Sequence, residues 1–179
     1  SYIAGASSTS NVLAGKIYGI PVFGTHAHSW VMSFSTELEA FRAFARSFPK
    51  NCALLLDTYD VHEGIKNAII VGKEMEERGE KLGAVRIDSG DLAKLAKEAR
   101  AAFDDAGLSY VKISVSNDLD EYTIQSLFAQ GAPIDSFGVG TKLATCDPQP
   151  SLGGVYKLSA IREHKDEAWR PVIKLSEMA

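Results

Sequence analysis

A chain of 179 residues with 45% hydrophobic and 23% charged residues is long enough to bury a core and to form one ordinary domain. Its net charge of −4, with lysine and arginine scattered along the chain, leaves no basic stripe for a nucleic-acid backbone and no polybasic patch for a membrane surface. With no apolar run of membrane-spanning length and no leader-like start, the sequence reads as soluble and intracellular.

The chain starts at Ser1, runs straight into Tyr2-Ile3-Ala4 and stops at Met178-Ala179 just after a strand-like run, so both ends read as cut. Residues 3–5 are expected to end a strand, and residues 7–11 offer N-cap side chains for a helix over 12–18 that Gly19 closes. A second strand is expected over 20–25. Its helix should come in two pieces, because Thr36 and Glu39 have capping-box spacing ahead of Leu38, Phe41, Phe44, Ala45 and Phe48. Residues 52–56, CALLL, form a continuous apolar run of the kind covered on both faces, and it ends at Asp57. Cys52 opens that run far from Cys146, in neither a metal-binding nor a disulfide spacing, so reduced thiols are expected.

Residues 62–78 then repeat Ile65, Ala68, Ile69, Gly72 and Met75 on one helical face, with Gly79 as the stop. A strand over 84–87 ends at Asp88-Ser89-Gly90-Asp91 and precedes a helix over 92–106. A strand over 110–115 delivers Ser116-Asn117-Asp118, a short helix covers 121–129, and a strand over 134–137 runs into Gly138-Val139-Gly140-Thr141. Strand ends recur about every thirty residues, the size of a βαβ unit, which implies parallel strands with helices packed outside them. After Pro150, residues 155–161 and 172–175 flank a charged turn as a hairpin would. The expected division is a βα-barrel portion over 1–150 and a truncated β-hairpin-like extension over 151–179.

Each expected strand hands over at its C-terminal end to histidine, aspartate, Ser-Asn or a Gly-x-Gly loop, the edge where parallel α/β folds place their sites. His28 opens a helix at such an end, where an imidazole can carry or pass on a phosphate; His26 competes with it, and both could simply line a loop. Arg86 and Asp88 share one side of a strand by its two-residue period, and Gly90-Asp91 follows where a helix begins. That grouping suits a sugar bearing charged groups or a Mg²⁺ ion, and equally suits a salt bridge beside an N-capped helix. Gly138 and Gly140 allow close backbone approach to an anion, although a simple turn explains them as well.

GKIYGIPVFGTHAHSW, LLLDTYDV, VRIDSGDL and DSFGVGTKL, in this order and spacing, resemble the nicotinate phosphoribosyltransferase family over nearly the whole chain. The resemblance implies part of a type II phosphoribosyltransferase barrel. It implies that nicotinate and phosphoribosyl pyrophosphate are joined to give nicotinate mononucleotide and pyrophosphate, coupled to ATP hydrolysis through a phosphohistidine, in NAD salvage. By the same resemblance His28 is the phosphorylated histidine and Asp57 orients it by a hydrogen bond. Arg86, Asp88, Ser89, Gly90 and Asp91 hold the ring and ribose, with Asp88 and Asp91 as metal contacts for Mg²⁺. Ser116, Asn117, Gly138, Gly140 and Thr141 hold the ribose phosphate, and Ser10-Asn11 resembles a family TSN segment.

The family also has an N-terminal segment whose aromatic residues sandwich the pyridine ring, and a C-terminal portion; both lie outside this sequence. About six strand ends against the eight of a closed barrel of roughly 250 residues likewise point to an incomplete barrel, a fragment inactive alone. The resemblance implies a cytoplasmic homodimer. The alternatives are a nicotinamide- or quinolinate-using relative and a non-catalytic phosphosugar-binding α/β domain.

Overall fold

The computed structural model describes residues 1–145, 154 and 156–174. Its centre is a parallel sheet of β1 (Ala53–Leu55), β2 (Ala84–Ile87), β3 (Lys112–Val115) and β4 (Ser136–Phe137), in the order β1-β2-β3-β4. α4 (Val61–Glu77), α5 (Leu92–Asp105) and α6 (Glu121–Ala129) make the crossovers between successive strands. Because the strand order follows the chain without a reversal, this sheet is wound as a barrel wall is, with no topological switch point; it is an incomplete βα barrel.

The apolar strand positions turn one face of the sheet to the helices. Leu54, Leu56, Val85, Ile87, Ile113 and Val115 are buried together with Ala68, Val71 and Met75 of α4 and Ala96, Ala99 and Phe103 of α5. The helices start where side chains take their free amides: Asp60 accepts from the Glu63 amide at 2.9 Å, Asp91 from Lys94 at 3.0 Å and Asp120 from Thr123 at 2.7 Å. Ahead of them, α1 (Val12–Tyr18) is capped by Asn11 and ends at Gly19, whose φ of 67° needs glycine. The helix after residue 25 comes in two pieces, α2 (His28–Met32) and α3 (Glu37–Ser47), and the Thr36–Glu39 capping box separates them. α7 (Thr141–Thr145) begins directly after the Gly-x-Gly loop, an element the sequence pattern does not signal.

Two expected strands are absent. Residues 3–5 lie in a 3₁₀ turn, Tyr2–Ala4, closed by Gly5 at a φ of 106°. Residues 20–25 run alongside Thr9 only as an isolated bridge to Val22, with the Thr9 amide on the Pro21 carbonyl at 2.9 Å. Pro21 has no amide to give a ladder, and the outer edge of β1 is met by a side chain: the Leu55 amide donates to His26 Nε2 at 3.2 Å. The hairpin forms as β5 (Ala160–Ile161) paired antiparallel with β6 (Arg170–Pro171), shorter than expected; Val155 and Leu175 of that expectation fall outside the described residues. Among the described residues no helix is long and apolar enough to cross a membrane.

One glycine sets how closely α4 lies on the sheet. A Cβ added at Gly64 would stand 2.2 Å from the Leu56 carbonyl oxygen, a backbone atom that cannot swing away. Gly64→Ala is therefore expected to lower stability by about 2 kcal/mol despite alanine's better helix propensity. The urea midpoint checks this; a midpoint equal to or above the parent's would contradict it.

Candidate functional site

The C-terminal ends of β1, β2 and β3 open onto one place, and α2 brings His28 to it. His28 is the first residue of α2, so its ring stands over the strand ends. Its Nδ1 lies 3.1 Å from the hydroxyl of Thr58, which is fully buried, and its Nε2 lies 3.5 Å from Asp88 Oδ2. The expected hydrogen bond between His28 and Asp57 is not formed. Thr58, next in the same turn, takes the orienting position, while Asp57 Oδ2 accepts from Ser89 Oγ at 2.5 Å and faces Lys174 Nζ at 3.7 Å. Ligand atoms of His28, Asp57 and Asp88 nevertheless lie within 4.8 Å of one another, so the three form one cluster.

Arg86 ties this cluster to β3. From β2 its guanidinium donates to Asp88 Oδ1 at 2.9 Å, to Ser116 Oγ at 2.7 Å and to Thr25 Oγ1 at 3.1 Å, and Ser116 Oγ also donates to Asp88 Oδ1. Arg86 and Asp88 do share one side of the strand, as the two-residue period requires. Burial would push the Asp88 carboxyl up, but His28, Ser116 and the Arg86 charge outweigh it and hold Asp88 well below the ordinary carboxylate range. Asp88 is thus a fixed anion facing His28 Nε2.

The remaining expected residues divide. Ser89 joins the cluster through Asp57, and Gly90 turns the chain with a φ of 77°. Asp91 does not join it: it is exposed and spends its carboxylate capping α5, the simpler role such a residue has at a helix start. Asn117 and Asp118 turn the chain after β3 with φ of 105° and 45°, values that non-glycine residues adopt at a cost and that concentrate at binding loops. Gly138 packs against Ser116, where a Cβ would come to 3.2 Å of the serine Cβ, which brings the Gly138–Thr141 loop beside β3. Lys142, following it, pairs with Asp120 at 2.5 Å. Asn11 caps α1, and Ser10 beside it is exposed.

Three site residues escape sequence reasoning. Thr58 lies inside the DTYD motif but its carboxylate neighbour is the more obvious partner for histidine. Thr25 holds Arg86 across the chain, and Lys174 arrives from the segment after β6 with a side chain only 13% exposed; neither contact leaves a local signal in the sequence.

A divalent cation can be tested against this donor set. Asp57 Oδ1 is buried without a hydrogen-bond partner among the described residues, and Asp88 Oδ2 lies in the same cluster. Two carboxylate oxygens fit the hard-oxygen preference of Mg²⁺, whereas Asp91 is too committed to its cap to share in it.

Two buried titratable groups flank the cluster with opposite pH behaviour. His26, packed edge-on against Phe44 at 4.9 Å, is pushed down to about 4 by burial. Glu37 is pushed up to about 7, again by burial, against a hydrogen bond from Asn67. Between pH 6.5 and 4 the unfolded chain binds the proton that folded His26 refuses, so this histidine costs stability as pH falls. Between pH 4.5 and 7 folded Glu37 keeps a proton the unfolded chain has released, so it costs stability as pH rises. Each amounts to about 3 kcal/mol across its window at 1.36 kcal/mol per pKa unit. Relative to the parent, His26→Gln should therefore gain about that much as pH falls from 7 to 4, and Glu37→Gln as pH rises from 5 to 8. Urea titrations at several pH values check this, and stability differences independent of pH would contradict it.

A sequentially ordered parallel sheet that presents an imidazole, carboxylates, arginine and serine at its carboxyl edge is part of a βα barrel with a polar site at that edge. The profile of the Nicotinate phosphoribosyltransferase (NAPRTase) family matches residues 4–176, and the chain belongs to that family. It is 53% identical over 162 residues to a nicotinate phosphoribosyltransferase of Bacillus subtilis, covering 90% of this chain and 33% of that protein. It is 38% identical to one of Dictyostelium discoideum, covering 100% of this chain and 37% of that protein. The crystal structure of human nicotinic acid phosphoribosyltransferase superposes with a TM-score of 0.72 at 32% identity, over 77% of this chain and 38% of that one. The chain thus spans about a third of the length of the curated relatives it matches.

Proposed function

We propose that this chain carries the phosphohistidine and ribose-binding part of an enzyme that joins nicotinate to phosphoribosyl pyrophosphate, giving nicotinate mononucleotide and pyrophosphate. The coupled step is transfer of the γ-phosphoryl group of ATP to His28, with ADP leaving, followed by loss of that phosphate to water. One observation carries the reading: His28 is gripped at Nδ1 by Thr58 and presents Nε2 into a cluster with Asp57 and Asp88. A nucleophilic imidazole must have one nitrogen engaged so that the other keeps its lone pair; in this reading Nδ1–H donates to the buried Thr58 hydroxyl and the lone pair stays on Nε2.

The other residues fall into roles consistent with this chemistry. Arg86, anchored by Asp88, Ser116 and Thr25, is held rigidly enough to meet an anionic ring substituent or phosphate. In this reading Ser116, Asn117 and residues 138–141 take the ribose phosphate, and Lys174 adds a cation beside Asp57. Mg²⁺ held by Asp57 and Asp88 would screen the charge of pyrophosphate and of the transferring phosphoryl group. Asp88 keeps its charge, so it can also stabilise positive charge on the ribose as pyrophosphate departs.

In this reading the described residues up to 145 belong to the barrel portion, and the described part of the extension, residues 156–174, delivers Lys174. The whole protein acts in NAD salvage as a cytoplasmic homodimer. The test is a coupled assay on a full-length protein carrying this segment, supplied with nicotinate, phosphoribosyl pyrophosphate, ATP and Mg²⁺. Formation of nicotinate mononucleotide with ADP release supports it. Preference for nicotinamide or quinolinate, or no turnover of any of the three, would overturn it.

A further inference from the structure

Resting on the reading of His28 as the phosphate acceptor, we propose that Glu37 is a positioning residue for it, through a part-buried hydrogen bond that locks together the two segments meeting at the imidazole. Those segments are α2–α3, which carries His28, and β1 with the following turn and α4, which carries Asp57 and Thr58. The His28–Thr58 contact crosses from one to the other. So does the hydrogen bond from Asn67 Nδ2 on α4 to Glu37 Oε2 on the first turn of α3, at 2.9 Å. Any sliding of α3 along α4 shifts the imidazole against the hydroxyl that fixes it. Another side-chain pair across this interface, Arg42 with Glu74, lies further along both helices, away from the imidazole, with side chains about a third exposed.

The chemistry of Glu37 sets it apart from an ordinary interhelix contact. It is 7% exposed, its Oε1 has no hydrogen-bond partner among the described residues, and the charged groups facing it from the 57–60 turn and α4 are Asp57, Asp60 and Glu63. Tyr59 of the same turn is pushed up by burial and then by Glu37's charge, while Arg170 of β6 pulls the other way. A buried carboxyl among carboxylates is a costly way to bind an asparagine, since glutamine would accept the same hydrogen bond without the charge. Held as the neutral acid, Glu37 leaves the 57–60 turn undisturbed; ionised, it repels Asp57 and Asp60 and moves the turn that holds His28.

The test uses a full-length protein carrying this segment, with Glu37→Gln, Glu37→Leu and Asn67→Leu. The ¹⁵N shifts of the His28 imidazole report its tautomer and placement, whether or not phosphate is transferred. The rate of ATP-dependent phosphorylation from pH 6 to 8.5 is read beside them. Glu37→Leu and Asn67→Leu should mix the His28 tautomers and slow phosphorylation roughly ten-fold or more, with the KM for nicotinate changed less than about two-fold. Glu37→Gln should keep the parent tautomer and rate at pH 6 and remove the parent's decline above pH 7. Parent-like His28 shifts in folded Asn67→Leu, or a Glu37→Gln protein with the parent's pH profile, would overturn the proposal. A parent protein with a fixed His28 tautomer that takes no phosphate would instead overturn the functional reading on which it rests.

Discussion

In a full-length protein carrying this segment, His28→Asn is expected to take no phosphate from ATP, while its fold and its affinity for phosphoribosyl pyrophosphate stay close to the parent's. Asparagine fills the space at the start of α2 and can still meet Thr58, but it has no nitrogen lone pair able to accept a phosphoryl group. Losing a covalent nucleophile removes the coupled path entirely, so the loss should exceed about 10³-fold in phosphate incorporation, in line with what removal of other catalytic nucleophiles costs. Acid-labile label retained at parent level in His28→Asn would show that the acceptor lies elsewhere. The structure sharpens the accompanying expectation for orientation. Thr58→Val, which deletes the hydroxyl on Nδ1, should slow phosphorylation without abolishing it.

Arg86→Met should produce the second largest effect, and a different one. The arginine side chain holds Asp88, Ser116 and Thr25 together, and its removal leaves Asp88 half-buried with its nearest cation gone. Breaking such a pair from one side is costly, because the surviving charge stays desolvated. The expected loss is about 10²- to 10³-fold in kcat/KM for nucleotide formation, the range found when one preorganised donor is removed from a site. Phosphorylation of His28 should suffer less, since Thr58 still fixes the ring. Steady-state kinetics beside label incorporation separates the two steps; equal losses in both would mean that Arg86 acts only by holding the site together.

Much of the architecture is legible in the sequence because its periodicities are strong. The apolar runs of β1 to β4 and the helical stripes of α4 and α5 alternate, and capping side chains at Thr36, Asp91 and Asp120 mark where helices begin. Sequence pattern misleads where a short apolar run has no ladder to join. Residues 20–25 look like a strand, but Pro21 withholds an amide and the imidazole of His26 takes the bond a neighbouring strand would otherwise make to Leu55. Such a side-chain substitute for a ladder leaves no periodic trace.

The site divides along the same line. Strand ends fixed the neighbourhood of His28, Asp57, Arg86, Asp88 and Ser116, because the two-residue period and the βα handover dictate which residues reach the carboxyl edge. Which hydroxyl or carboxylate pairs with which nitrogen is decided by tenths of an ångström within one turn. Asp57 and Thr58 are adjacent, and only the fold shows that the threonine meets His28 while the aspartate meets Ser89 and Lys174. Asp91 shows the converse: its motif reads as a ligand position, and its geometry spends it on a helix cap.

His28, and no other side chain, is expected to carry the phosphate. Brief incubation of a full-length protein carrying this segment with γ-³²P-ATP and Mg²⁺, followed by proteolysis at neutral pH and mass spectrometric mapping, tests it directly. The expected result is one acid-labile, alkali-stable phosphate on His28, with the neighbouring His26, buried and held on Leu55, unmodified. Phosphate on His26, on a carboxylate, or on no residue at all would contradict it.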